Sequence, residues 1–107
     1  MQNEENWDDP SIQEYTDLQK YAFVTKKAMD NKYIGYCYRE NSDIKIDSGW
    51  RFLFGDEEED YLENPENSLT KDLSEVIEWK PEVKDILSSR QGSDFEWNPE
   101  EGAFQKI

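Results

Sequence analysis

Between Tyr21 and Phe54 the chain holds three runs of β-branched and aromatic residues separated only by turn-forming polar residues. Tyr21-Ala22-Phe23-Val24-Thr25 is the first. Tyr33 to Arg39 is the second, with Ile34, Tyr36 and Tyr38 on one face and Tyr33, Gly35, Cys37 and Arg39 on the other. Trp50 to Phe54 is the third and presents Trp50, Phe52 and Phe54 together. Asp30-Asn31-Lys32 supplies one turn. Asn41-Ser42-Asp43 opens a longer polar connection that Asp47-Ser48-Gly49 closes. Asp and Ser there can bond nearby backbone N–H groups, and Gly takes a positive φ cheaply. Strands joined by turns cannot make parallel βαβ units, so the spacing predicts an antiparallel sheet.

The flanking segments are helical in pattern. Asp9-Pro10 reads as an N-cap and first helical position, with Ile12, Tyr15 and Leu18 following, so a short helix over 10–19 is expected. Asp56 to Asp60 forms one helical turn reaching Leu62, broken by Asn64-Pro65-Glu66-Asn67. Ser68 to Lys71 leads into a helix carrying Leu73, Val76 and Ile77. Pro81 opens another with Val83, Ile86 and Leu87, ending near Gly92. Phe95–Trp97 and Ala103–Lys106 form a terminal hairpin. The order predicts a small α+β domain over residues 21–107, an antiparallel sheet of three to five strands packed by short helices. An acidic extension over residues 1–20 precedes it. The expected core is Val24, Ile34, Tyr36, Trp50, Phe52, Val76, Ile77 and Ile86.

Composition matters at two points. Leu, Ile, Val and Phe make up 21 of 107 residues, about the ~20% line at which a highly charged chain is suspected of disorder. Four Trp, six Tyr and five Phe argue for a folded, aromatic core, because disordered chains are poor in aromatics. The second point is charge. Twenty-six acids against 12 bases give −14, and residues 55–67 hold seven acids and no base. That balance disfavours nucleic acid as a partner, since phosphate neutralisation requires a basic footprint.

Several chemistries fall away. With no His and one Cys, His-dependent triads, His- or Cys-based zinc sites and a disulfide framework are excluded within the chain. No apolar run approaches the ~20 residues of a membrane span. The Met-Gln-Asn-Glu-Glu start has neither a basic nor an apolar export region, so a cytoplasmic protein is expected. Ser48 as a nucleophile would require Lys or a carboxylate as base; a turn role fits better. Cys37, between Tyr36 and Tyr38, reads as a small core residue. The acids of 56–60 are adjacent rather than alternate and lack the internal Gly of a calcium loop. No cofactor is expected.

Ile34-Gly35-Tyr36-Cys37-Tyr38-Arg39-Glu40, Asp47-Ser48-Gly49-Trp50-Arg51-Phe52, Gly55-Asp56-Glu57, then Tyr61 and Asn64-Pro65-Glu66-Asn67 form an ordered set. With Ala22-Val24-Thr25 and Phe95-Glu96 it resembles immunity protein family 33, small bacterial proteins, over about residues 22–97. The resemblance implies an antidote that binds and neutralises a protein toxin without catalysis, and it supplies no catalytic residues. A basic toxin suits the charge, because an acidic antidote can imitate a phosphate backbone and complementary charge speeds encounter. On this reading Asp56, Glu57, Glu58, Glu59 and Asp60 are the steering surface and Tyr61 an anchor, on a monomer. Asp47, Ser48, Gly49, Trp50 and Arg51 are a structural motif: Gly49 makes a tight strand entry and Trp50 seals one end of the core. The rival readings are a housekeeping or adaptor domain and a small carboxylate-dependent enzyme.

Overall fold

The computed structural model describes residues 20–107. The chain lays down β1 (Tyr21–Thr25), α1 (Lys26–Asn31), β2 (Tyr36–Arg39), β3 (Asp47–Leu53), α2 (Glu59–Glu63), β4 (Ser68–Asp72), α3 (Leu73–Trp79), β5 (Asp94–Asn98) and β6 (Ala103–Lys106). Short 3-10 turns occupy Pro65–Asn67 and Pro81–Asp85. At two junctions one polar residue ends a strand and caps the helix that follows. Thr25 closes β1 and caps α1, its hydroxyl accepting the Ala28 N–H at 3.1 Å. Asp72 closes β4 and caps α3 by accepting the Ser74 N–H at 3.0 Å. The expected helix over 10–19 lies outside the described residues.

The strands form one six-stranded sheet in the order β4-β1-β3-β2-β5-β6. Leu69, Val24, Phe52, Cys37 and Phe95 stand in register across five of them. This row faces Ala28 and Met29 of α1, Leu73 and Val76 of α3, Val83 of the second 3-10 turn and Ile86 and Leu87 just after it, which together make the core. Trp50 sits in the same layer, fully buried. Its ring stacks on Phe52 at 5.9 Å and 6°, tilts against Phe95 at 6.1 Å, and its indole N–H donates to the Leu87 carbonyl at 3.3 Å. A buried Trp with its one polar atom satisfied contributes its apolar area without the penalty of an orphaned donor. Val24, Ile34, Trp50, Phe52, Val76 and Ile86 are core as expected, and Cys37 is buried with them.

Three expectations are corrected. The sheet is mixed rather than antiparallel: β1 pairs with β3 in parallel, and every other pairing is antiparallel. The chain leaves β1 through α1, enters β2 one strand too far, and returns as β3 into the gap, so a parallel pair arises without a βαβ crossover. The sheet also has six strands rather than three to five. The added one, β4, occupies Ser68–Asp72 in place of the lead-in to a helix. As an edge strand it sets only Leu69 against the core, and a single apolar residue leaves no alternation to detect.

Tyr36 is the third correction. It lies on the face opposite Cys37 and is half-buried, and Ile77 only packs against the core from its margin. The alternation counted from Tyr33 breaks at Gly35, which precedes β2. A Cβ at Gly35 would lie 2.3 Å from the Phe54 carbonyl oxygen, so only Gly lets the two backbones approach. Ile34 turns inward before that break, and Cys37 and Arg39 turn inward after it.

Candidate functional site

The Asp47–Arg51 motif is part of β3 rather than a turn before it. Tyr21 of β1 opposes Asp47, and Phe23 opposes Arg51, so two steps on β1 match four on β3. The surplus is a bulge at Ser48-Gly49. Asp47 Oδ1 accepts the Gly49 N–H at 2.9 Å and the Ser48 hydroxyl accepts the Trp50 N–H at 3.2 Å. Gly49 adopts φ +88°, and a Cβ there would lie 2.2 Å from the Glu40 carbonyl oxygen. The side-chain bonding read from the sequence is present, within a strand. Ser48 is 1% exposed, and its oxygen already serves the Trp50 amide.

The bulge aims Asp47 at Arg51. Both carboxylate oxygens take guanidinium N–H groups at 2.9 Å, and Glu40 Oε2 takes the Arg51 Nε–H at 2.7 Å. Burial alone would raise the Asp47 pKa, but bonds from Arg51, the Gly49 amide and the Ser42 hydroxyl hold it below the ordinary value. Burial alone would lower the Arg51 pKa; Asp47 and Glu40 hold it above the ordinary value. The guanidinium lies over the Phe23 ring, 4.3 Å from its centre. Arg39 has the opposite placement. It runs into the core face, 2% exposed, and donates to the carbonyls of Ser48 and Ser89 at 2.9 Å.

The acidic stretch divides in two. Glu57 turns inward: it accepts the Thr25 hydroxyl at 2.5 Å, the Phe54 N–H at 2.7 Å and the Gly55 N–H at 2.9 Å. Burial would raise its pKa, yet these donors hold it below the ordinary value. Asp56 pairs with Lys27 at 2.7 Å. The Tyr61 hydroxyl accepts the Lys27 backbone N–H at 3.1 Å, satisfying a donor that the first turn of α1 leaves orphaned. These three contacts fasten the 55–63 segment to β1 and α1. Glu58, Glu59 and Asp60 stand exposed on the outer side. Among the described residues, Asp60 accepts only the neighbouring Tyr61 N–H.

Opposite the core row, Thr70, Phe23, Arg51, Tyr38 and Asp94 stand in register on the other face of the sheet. Two hollows lie on this face. One, about 240 Å³, is floored by Phe23, Tyr38, Arg51 and Leu53 and walled by Leu62 and Asn67. The other, about 610 Å³, is bounded by Tyr36, Tyr38, Glu40, Arg90 and Asp94, and Tyr38 and Glu40 border both. The Tyr36 hydroxyl donates to Asp94 at 3.2 Å, and the Tyr36 and Tyr38 rings lie 5.9 Å apart. Burial raises both phenol pKa values above the ordinary one. Reading one face of each strand as core left Phe23, Leu53 and Leu62 out of any site. The available signal was that β2 carries apolar or aromatic residues on both faces.

Among the described residues, no three of His, Cys, Asp or Glu gather at metal-ligand spacing, and no helix is long and apolar enough to cross a membrane. Burial pushes the Cys37 thiol far above its ordinary pKa, which keeps it protonated. What the face offers is Tyr and Arg, residue types that dominate binding energy at protein interfaces. A family model described as the immunity protein Imm33 domain matches residues 22–107. No curated protein and no solved structure matches the chain.

Proposed function

The chain belongs to the Imm33 immunity protein family, and on that premise we propose that it is a non-enzymatic antidote that binds a basic protein toxin one to one. The observation that supports this reading most is the exposed group Glu58, Glu59 and Asp60 on α2, inside a stretch of seven acids and no base. The stretch borders a sheet face that presents Tyr36, Tyr38 and Arg51. The exposed acids Glu58, Glu59 and Asp60 steer the encounter, and Tyr61 and its neighbours supply the contact. The antidote acts as a monomer.

Co-expression with each growth-inhibiting product of the neighbouring genes tests this. Growth is restored at equimolar expression, and the purified pair associates more slowly as salt rises, because screening shortens the reach of the acidic surface. Protection by a small fraction of an equivalent would overturn the reading in favour of an enzyme. Toxicity undiminished at excess antidote would overturn it altogether.

A further inference from the structure

We infer that the smaller hollow, on the face of the sheet opposite the core, receives one apolar side chain from a toxin segment otherwise rich in Lys and Arg. The inference rests on the immunity reading and specifies the chemistry of the partner at that site. At about 240 Å³ the hollow falls below the ~300–1,000 Å³ usual for small-molecule sites. Its size suits a single side chain.

The floor is largely apolar and holds no uncompensated positive charge. Phe23, Tyr38 and Leu53 supply the apolar part, while the cation, Arg51, is matched by Asp47 and Glu40 and sits over the Phe23 ring. It therefore does not repel a basic segment. Leu62, on the far wall, is 44% exposed, so a large apolar group at the mouth is open to solvent over much of its surface. Glu58, the N-cap of the same short helix, and Glu59 within it lie one turn before Leu62, at the spacing that makes helix side chains neighbours, and both are exposed. An apolar centre inside a charged rim is the anatomy of a protein hot spot.

The rim also selects among occupants. Nucleic acid and an anionic membrane surface both present phosphate to these carboxylates and are repelled. A second copy of this chain would set the same acids against each other. A basic protein segment with one apolar anchor is the occupant that satisfies both floor and rim.

The test is an amide-resolved NMR titration of the full chain with three capped peptides: Lys-Lys-Trp-Lys-Lys, Lys-Lys-Ser-Lys-Lys and Glu-Glu-Trp-Glu-Glu. Only the first saturates, and its shifts centre on Phe23, Tyr38, Leu53 and Leu62. Leu62→Ser weakens it about tenfold or more, a loss readily resolved as affinity, with the melting temperature unchanged. Ile44→Ser, at a residue 58% exposed elsewhere, leaves it unaltered. Equal binding of the Ser peptide, preference for the acidic peptide, shifts confined to the loop of Ile44 and Ile46, or no saturation would each overturn the inference. The two readings fail separately. A Leu62→Ser antidote that still neutralises the toxin as well as the parent sinks the hollow and spares immunity. A parent that neutralises nothing sinks immunity, while the titration still reads the hollow.

Discussion

At one end of β3, Asp47 is 8% exposed and grips Arg51 through two contacts of 2.9 Å. Just beyond the other end, Glu58 and Glu59 carry the same functional group in solvent, with no side-chain bond among the described residues. The stretch densest in acid is thus the less committed one. What a carboxylate contributes here is set by the N–H groups and guanidinium that surround it. The density of charge along the chain does not set it. Glu57 makes the point within the acidic stretch itself. One position from Glu58, it meets two amides and a hydroxyl and becomes part of the fold.

The contrast can be broken or sharpened residue by residue. Trp50→Ala removes the largest buried side chain beside the Asp47 bulge, and truncations of this kind cost ~3–5 kcal/mol. That is comparable to the whole stability of a small domain, so the variant is expected to be unfolded or nearly so in a thermal melt. A Trp50→Ala protein that melts like its parent would make Trp50 a surface residue. Gly49→Ala follows. Placing a Cβ at positive φ costs about 1–2 kcal/mol, and the contact with the Glu40 carbonyl adds to it. The expected loss is more than about 2 kcal/mol by urea unfolding, and a neutral result would mean the bulge relaxes freely.

Glu57→Gln is expected to cost about 1–2 kcal/mol, because a charged acceptor of several donors is replaced by a neutral one. The folded-state pKa of Glu57 lies below its ordinary value of 4.5. The stability it contributes is therefore complete above that value and lost as pH falls through the folded one. Parent and variant should differ at neutral pH and converge in acid; a difference that grew in acid would reverse the assignment. Glu58→Gln is expected to change the melting temperature hardly at all, since exposed substitutions fall within about 0.5 kcal/mol.

Much of this division was legible in the sequence, for identifiable reasons. Trp50, Phe52 and Val24 declared themselves by strand alternation, and the terminal hairpin by Asn98-Pro99 and Gly102 between two short runs. The Asp47 and Ser48 side-chain bonds follow from what those residues do locally wherever Gly comes next. The parallel pairing of β1 with β3 was not legible, because it depends on β3 returning into a gap that only the assembled sheet defines. Tyr36 was misplaced because alternation was counted through Gly35, where the chain bends. The hollow stayed hidden because its parts, Phe23, Leu53 and Leu62, come from two strands and a helix. No spacing along the chain relates them.

The most direct test of the contrast is a urea unfolding comparison at neutral pH of Asp47→Asn with the double variant Glu58→Gln/Glu59→Gln. Each substitution replaces a carboxylate with its neutral amide and changes little in shape. Breaking a buried ion pair by neutralising one partner costs ~3–5 kcal/mol, and Glu40 still holds Arg51, so the single variant is expected near the lower end of that range. The double variant, which removes two charges from a repelling stretch, is expected to match the parent or slightly exceed it. If instead Asp47→Asn unfolds with the parent and the double variant loses stability, then the exposed acids hold the fold and the buried pair does not.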